Sequence, residues 1–190
     1  MARIRRKLFH TYANLDLPIQ WQDEQVATWA SSNNISTRRD CMAYKSSLYA
    51  AFNNNKSLKA FPELKWFAGM TQLLRYAFRY CQNLEEIELP PNITFIGAQC
   101  FDGAKKLGPD FVIPAKVSQI DWYAFHDCTG IKRFKVLNPT PPTVESIASV
   151  FSSDTAQFYV PDESVETYKA ADRWAEAADR IHPLSEWVDE

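Results

Sequence analysis

The apolar positions of this chain fall into a regular pattern only in its middle third. Phe78, Phe101 and Phe125 are spaced 23 and 24 residues apart, and Cys81, Ala104 and Cys128 step with them. Pro90 and Pro114, Ile93 and Val117, and Ile96 and Ile120 are each 24 residues apart. Within one unit, Leu84-x-x-Ile87-x-Leu89 alternates as a short strand with one buried face does, and Ile93–Ile96 predicts a second short strand. A self-similarity of roughly 20–29 residues predicts stacked coils, because one coil cannot bury its apolar ladder alone.

The first full unit reads Ala77-Phe78, Cys81, Leu84, Ile87, Leu89-Pro90, Ile93, Ile96-Gly97. The second reads Cys100-Phe101, Ala104, Leu107, Phe111, Ile113-Pro114, Val117, Ile120. A third opens with Ala124-Phe125, Cys128, Ile131, Phe134 and Val136, then breaks at Pro139–Pro142. A degenerate earlier unit aligns Leu64, Trp66, Met70 and Leu73 with Ile87, Leu89, Ile93 and Ile96, and one extra residue in 108–110 turns 23 into 24.

The run Ala-Phe-x-x-Cys-x-x-Leu-x-x-Ile-x-Leu-Pro-x-x-Ile-x-x-Ile-Gly resembles the BspA-type leucine-rich repeat of bacterial proteins. The resemblance covers about Leu58 to Val136, and Phe158-Tyr159-Val160-Pro161, Tyr168, Trp174 and Ile181 resemble the segment that closes such arrays. It implies a right-handed leucine-rich solenoid used for binding or at cell surfaces, and not catalysis. The expected fold is α+β: a short solenoid of small strands with helical caps at both ends. The expected division is 1–57 for an N-terminal arm and helical cap, 58–143 for the repeats and 144–190 for the C-terminal cap, all in one structural domain.

Outside the repeats, Gln22 to Ala30 predicts a short helix with Val26 and Trp29 on one side. Thr37 and Asp40 form a capping-box pattern, and Cys41, Tyr44, Leu48 and Phe52 follow at helical spacing, predicting a second, amphipathic helix. Some larger proteins with similar repeats carry an EF-hand-like helix–loop–helix ahead of them. In that register the ligand positions fall on Thr28, Ala30, Ser32 and Arg39, which lack the carboxylates calcium needs. At the other end, Val160-Pro161 reads as a last extended step. Asp162 or Ser164 then caps a helix through Ala171, with Val165, Tyr168, Trp174 and Ile181 turned inward.

Composition narrows the function. The 190 residues are 46% hydrophobic and 23% charged, with a formal net charge of −2, so there is a core to build and no basic field to hold nucleic acid. Only five glycines occur (69, 97, 103, 108 and 130), and no phosphate-loop, dinucleotide, nucleophile-elbow, zinc-protease or CxxC motif is present. No cofactor, metal site or catalytic set is therefore expected. No apolar run is long enough to span a membrane. The start carries Arg3, Arg5, Arg6 and Lys7 but is followed by an interrupted, polar stretch, so no signal peptide is read and synthesis in the cytoplasm is expected.

Cys41, Cys81, Cys100 and Cys128 fall on apolar positions and read as small buried groups. His10 and His182 stand alone. His126 lies two residues from Cys128, but a zinc site needs two more ligands and a nucleophile pair needs an orienting group, so a turn role is expected. Two outward columns are predicted on the strand face: Glu63, Glu86, Asp110 and Arg133, then Lys65, Glu88, Val112 and Lys135. Of these Glu63, Lys65, Glu86, Glu88, Arg133 and Lys135 are the candidate binding face. A second candidate is an aromatic contact patch of Tyr76, Tyr80, Phe95, Trp122 and Tyr123, rings the repeat does not require. The expected function is non-enzymatic binding of a protein or glycan, with self-assembly as a further outcome. The alternative is a structural or accessory subunit of a phage virion, tail or injection apparatus, which would associate through the aromatic side or the basic N-terminal arm.

Overall fold

The computed structural model describes residues 15–151 and 155–189. The basic arm and His10 lie outside the described residues. The order of elements is α1 (Glu24–Ser32), α2 (Arg38–Ala43), β1 (Ala60–Phe61), β2 (Gln72–Leu73), β3 (Glu86–Ile87), β4 (Phe95–Ile96), β5 (Asp110–Ile113), β6 (Gln119–Ile120), β7 (Arg133–Val136), α3 (Ile147–Phe151), β8 (Gln157–Val160), α4 (Val165–Ala170) and β9 (Ile181–Pro183). Short 3-10 helices span Pro62–Trp66, Asp162–Ser164, Trp174–Arg180 and Leu184–Glu186. The mixture is α+β.

Every strand pair is parallel, and each joins a residue to its counterpart one coil on. Leu73 pairs with Ile96 and Ile96 with Ile120 along β2-β4-β6. Phe111 pairs with Phe134, Phe134 with Phe158, and Phe158 with Ile181 along β5-β7-β8-β9. Between β3 and β5 the ladder is interrupted: β3 pairs with β1, and β5 begins a separate sheet just after Gly108-Pro109. Proline has no N–H to give to a ladder, which suits it to this break.

A third column needs no strands. The rings of Phe52, Phe78, Phe101, Phe125 and Phe151 stack in succession, with centroids 5.4, 5.3, 5.2 and 5.7 Å apart and planes within 7°. Backbone hydrogen bonds run with them: Phe52 N–H donates to Ala77 O, Phe78 N–H to Cys100 O, Phe101 N–H to Ala124 O and Phe125 N–H to Val150 O. Turns bracket each ring. Ala50, Tyr76, Gln99 and Tyr123 take positive φ on one side, and Asn54, Tyr80, Gly103 and Asp127 on the other. The ladder therefore runs beyond the expected 58–143 at both ends, to Phe52 and Phe151.

The first coil differs from its reading. Ile87 pairs with Phe61, not with Leu64, so the spacing there is 26. Pro62–Trp66 forms a 3-10 helix that absorbs three extra residues, and Leu73 restores the register by the next strand.

The second predicted helix is also shorter. The Thr37–Asp40 capping box is present, but α2 stops at Ala43 and Tyr44 is extended. Packing overrides the helical spacing. The Tyr44 ring meets Trp29 and Phe67 at 5.7 and 5.6 Å, while Leu48 and Phe52 are buried in the first coil. Thr28, Ala30 and Ser32, three positions of the calcium-loop register, sit inside α1, and Ala30 is fully buried.

Both ends of the stack are covered. Asp23 caps α1 through Gln25 N–H (2.8 Å), and its other oxygen accepts from Lys59 N–H (2.7 Å) and Ala60 N–H (3.3 Å), tying the cap to β1. At the far end, Tyr168 OH donates to Asn138 O (2.6 Å) and Trp174 Nε1–H to Pro142 O (2.8 Å), with both rings buried. Val160 ends β8 directly ahead of the helical cap, and β9 adds a further rung beside β8 after it. Among the described residues no helix is long and apolar enough to cross a membrane.

Candidate interaction surface

The two predicted surfaces fare differently. On the strand face, Glu63 is not outward. The longer first coil places it on the 3-10 helix, where it is buried and Oε1 accepts from Gln22 N–H at 2.8 Å. Lys65 and Glu88 are exposed and form an ion pair with each other. Glu86 is exposed on β3 and accepts from Gln22 Nε2–H at 3.0 Å. Arg133 is half-buried and donates through Nε and Nη2 to the two Asp110 oxygens at 2.7 and 2.8 Å. Lys135 is half-buried with Nζ 4.1 Å from the centre of the Trp187 ring. The face thus divides into an acidic half at Glu86, Glu88 and Asp110 and a basic half at Arg133 and Lys135. The exposed Lys65–Glu88 pair contributes little to stability, about 0–1 kcal/mol.

The aromatic residues come together on another flank. Backbone hydrogen bonds place Tyr49, Arg75, Ala98 and Trp122 in one column: Ala50 N–H donates to Arg75 O, Tyr76 N–H to Ala98 O and Gln99 N–H to Trp122 O. Gln72, Phe95, Gln119 and Thr143 form the neighbouring column. The small Ala98 between Arg75 and Trp122 leaves a notch. Its walls are Tyr49, Arg75, Phe95, Asp121 and Trp122, and its volume is about 330 Å³. Gly97 also lines it, and a Cβ there would stand 2.8 Å from Arg75 N and 2.9 Å from Leu74 C, so glycine lets the two coils approach this closely.

Tyr49, Tyr80, Trp122 and Tyr123 are 58%, 36%, 37% and 40% exposed, so half of the large apolar side chains left open among the described residues lie on this flank. Arg79 stands over Tyr80 at 4.3 Å and Tyr76 at 5.1 Å, and Arg75 over Tyr76 at 5.0 Å. Trp122 meets Tyr123 edge-on at 5.3 Å, and Tyr123 lies 4.8 Å from the His126 ring.

Asp102 holds the Arg79 and His126 edge of this set from beneath. It is buried and accepts from Arg79 Nε–H (3.2 Å) and Gln99 Nε2–H (2.9 Å), and lies 3.0 Å from His126 Nδ1. His126 therefore has an orienting carboxylate that the sequence reading lacked, one coil earlier in the chain. Cys128 does not join it. Its Sγ–H donates to Phe101 O at 3.0 Å in the core, and burial pushes its thiol far above the ordinary range. All four cysteines are buried and unbridged. Among the described residues no three His, Cys, Asp or Glu side chains gather to hold a metal ion.

Sequence reasoning missed Tyr49, Arg75, Arg79 and Asp102. The signal for Tyr49 was present, but it needed a spacing of 26 to Arg75 where 23 was assumed. The signal for Asp102 was its place one period before His126.

Comparison with known proteins gives one family. The model described as BspA type Leucine rich repeat region matches residues 44–167 in six copies, well over half of the chain. No curated protein matches the chain.

Proposed function

The chain belongs to the BspA type leucine rich repeat family, and from that membership we propose that it is a non-enzymatic protein-interaction module that takes its partner on the aromatic flank. In this reading the coils form a solenoid whose task is to hold surface side chains at fixed spacing. Repeats of this class commonly serve protein recognition.

The observation that carries the choice of flank is the run of exposed Tyr49, Tyr80, Trp122 and Tyr123, edged by Arg75 and Arg79, around a preformed notch. Tryptophan, tyrosine and arginine are the residues that dominate binding energy at interfaces. Arg79 is also already held by Asp102, which lowers the entropy lost on binding at that edge.

Backbone conformation supports the same choice. Tyr76, Tyr80 and Tyr123 take φ of 65°, 57° and 56°, a region that L-residues other than Asn and Asp enter at a cost of roughly 1–2 kcal/mol each. Glycine or asparagine would fit those turns more easily. Keeping tyrosine there is consistent with use of its ring at the surface.

The test is panning of a displayed random-peptide library against the full chain, followed by affinity measurement on purified variants. Peptides recovered on the native chain should bind Trp122→Ala about thirtyfold more weakly or worse, the loss expected for a central aromatic anchor. If every recovered peptide binds Trp122→Ala and the native chain equally, this flank is refuted. Selective capture of glycans in place of peptides would refute the protein partner.

A further inference from the structure

After β9 the chain turns back across the basic half of the strand face. The 3-10 helix Leu184–Glu186 buries none of its residues, and Val188 is 69% exposed. One side chain of this segment, Trp187, is seated. Its ring lies 5.0 Å from Tyr159 at 84°, under Lys135 Nζ at 4.1 Å and the Arg133 guanidinium at 4.4 Å. Arg133 Nη1–H also donates to Val188 O at 3.0 Å.

The seat is built by the strands and not by the tail. Lys135 on β7, Tyr159 on β8 and His182 on β9 are register partners, so they form one row across the sheet. Tyr159 and His182 pack ring to ring at 5.2 Å. His182 Nε2 is fixed by Gln157 Oε1 at 2.7 Å, and its Nδ1 stands 3.7 Å from Glu186. An aromatic ring held by two cations suits this row, and the carboxylates beside it complete the fit: Glu186 faces His182, and Asp189 Oδ1 accepts from Trp187 Nε1–H at 2.8 Å.

We infer that this row, with Arg133, is a recognition site for peptide segments that carry a tryptophan flanked by carboxylates, and that residues 184–189 occupy it in cis as an exchangeable strap. The strap holds on by surface contacts, so a partner segment of the same chemistry displaces it without unfolding a coil. The site is on a different face from the notch at Trp122 and does not depend on it.

The experiment uses the full-length chain, as native protein and as Trp187→Ala. The probe is a fluorescent synthetic heptapeptide of sequence Leu-Ser-Glu-Trp-Val-Asp-Glu, followed by anisotropy. The Trp187→Ala chain should bind it saturably. The native chain should bind at least about tenfold more weakly, because its tethered segment competes at a high effective concentration. A peptide with alanine for tryptophan should not bind, and Lys135→Glu in the Trp187→Ala background should weaken binding about tenfold or more. Thermal melting checks that each variant folds, and Lys135→Gln replaces Lys135→Glu if the latter does not. Equal affinity of native and Trp187→Ala chains, no binding by Trp187→Ala, or indifference to Lys135 would each overturn the inference. A native dimer that becomes monomeric in Trp187→Ala would overturn the occupancy in cis.

Discussion

Phe101 stacks on Phe78 with ring centroids 5.3 Å apart and planes within 7°, although 23 residues separate them. Phe125 covers its other side at 5.2 Å. The phenyl column is where each coil grips the next. Phe101→Ala should lose about 3–5 kcal/mol of unfolding free energy, the range for a large ring removed from a rigid core. Chemical denaturation checks this, and a loss below about 1 kcal/mol would show that the column is not a main contact between coils.

Asp102 links two coils through Arg79 and His126. Asp102→Ala should cost about 2–3 kcal/mol, since hydrogen bonds to a buried charged group are among the stronger ones. It should also weaken partner binding beyond the effect on folding, because Arg79 loses the carboxylate that holds it over Tyr76 and Tyr80. Binding measured at a temperature where the variant is fully folded separates the two effects.

The thiols should be inert in the native chain. Burial pushes Cys41 and Cys81 from near 9.0 up to about 12, and Cys100 and Cys128 rise as well. At pH 8 a thiol-disulfide reagent should label none of the four without denaturant and all four with it. The linkage has a definite sign. Well below pH 9 the thiols are protonated in both states and stability is unaffected. Above it the unfolded chain releases protons that the native chain retains, so stability falls as pH rises toward 12.

Tyr123→Asn should separate stability from function. Asparagine tolerates the left-handed turn at φ 56° better than tyrosine does, so melting should stay level or rise by up to about 1 kcal/mol of stability. Partner affinity should fall, because the ring that backs Trp122 is gone. A variant that loses stability and keeps its affinity would contradict the role given to this ring.

The repeats from Phe78 to Val136 were legible because each ladder residue returns at 23 or 24, and only an apolar side chain fits where it lands. The first coil was not, because Pro62–Trp66 adds three residues with no break in hydrophobicity. That shift hid Phe52 and Tyr49, and it put Glu63 on a face it does not occupy. β9 was missed because Ile181-His182-Pro183 has one apolar rung and no alternation to read. Trp122 and Phe95 were visible in the sequence as large rings in columns where Ala98 and Gln119 stand one coil away. The notch they enclose was not, since it depends on Arg75 from a third coil. Trp187 gave no signal, because its partners are cations on strands that the tail reaches only after folding back.

The most direct test of the aromatic flank is hydrogen exchange on the native full-length chain, with and without the tightest peptide recovered from the library. The account predicts that protection gathers at residues 49–50, 75–80, 95–99 and 119–123, around the notch and its arginine edge. Protection confined to residues 86–89, 110–113 and 133–136 would place the partner on the strand face and contradict it.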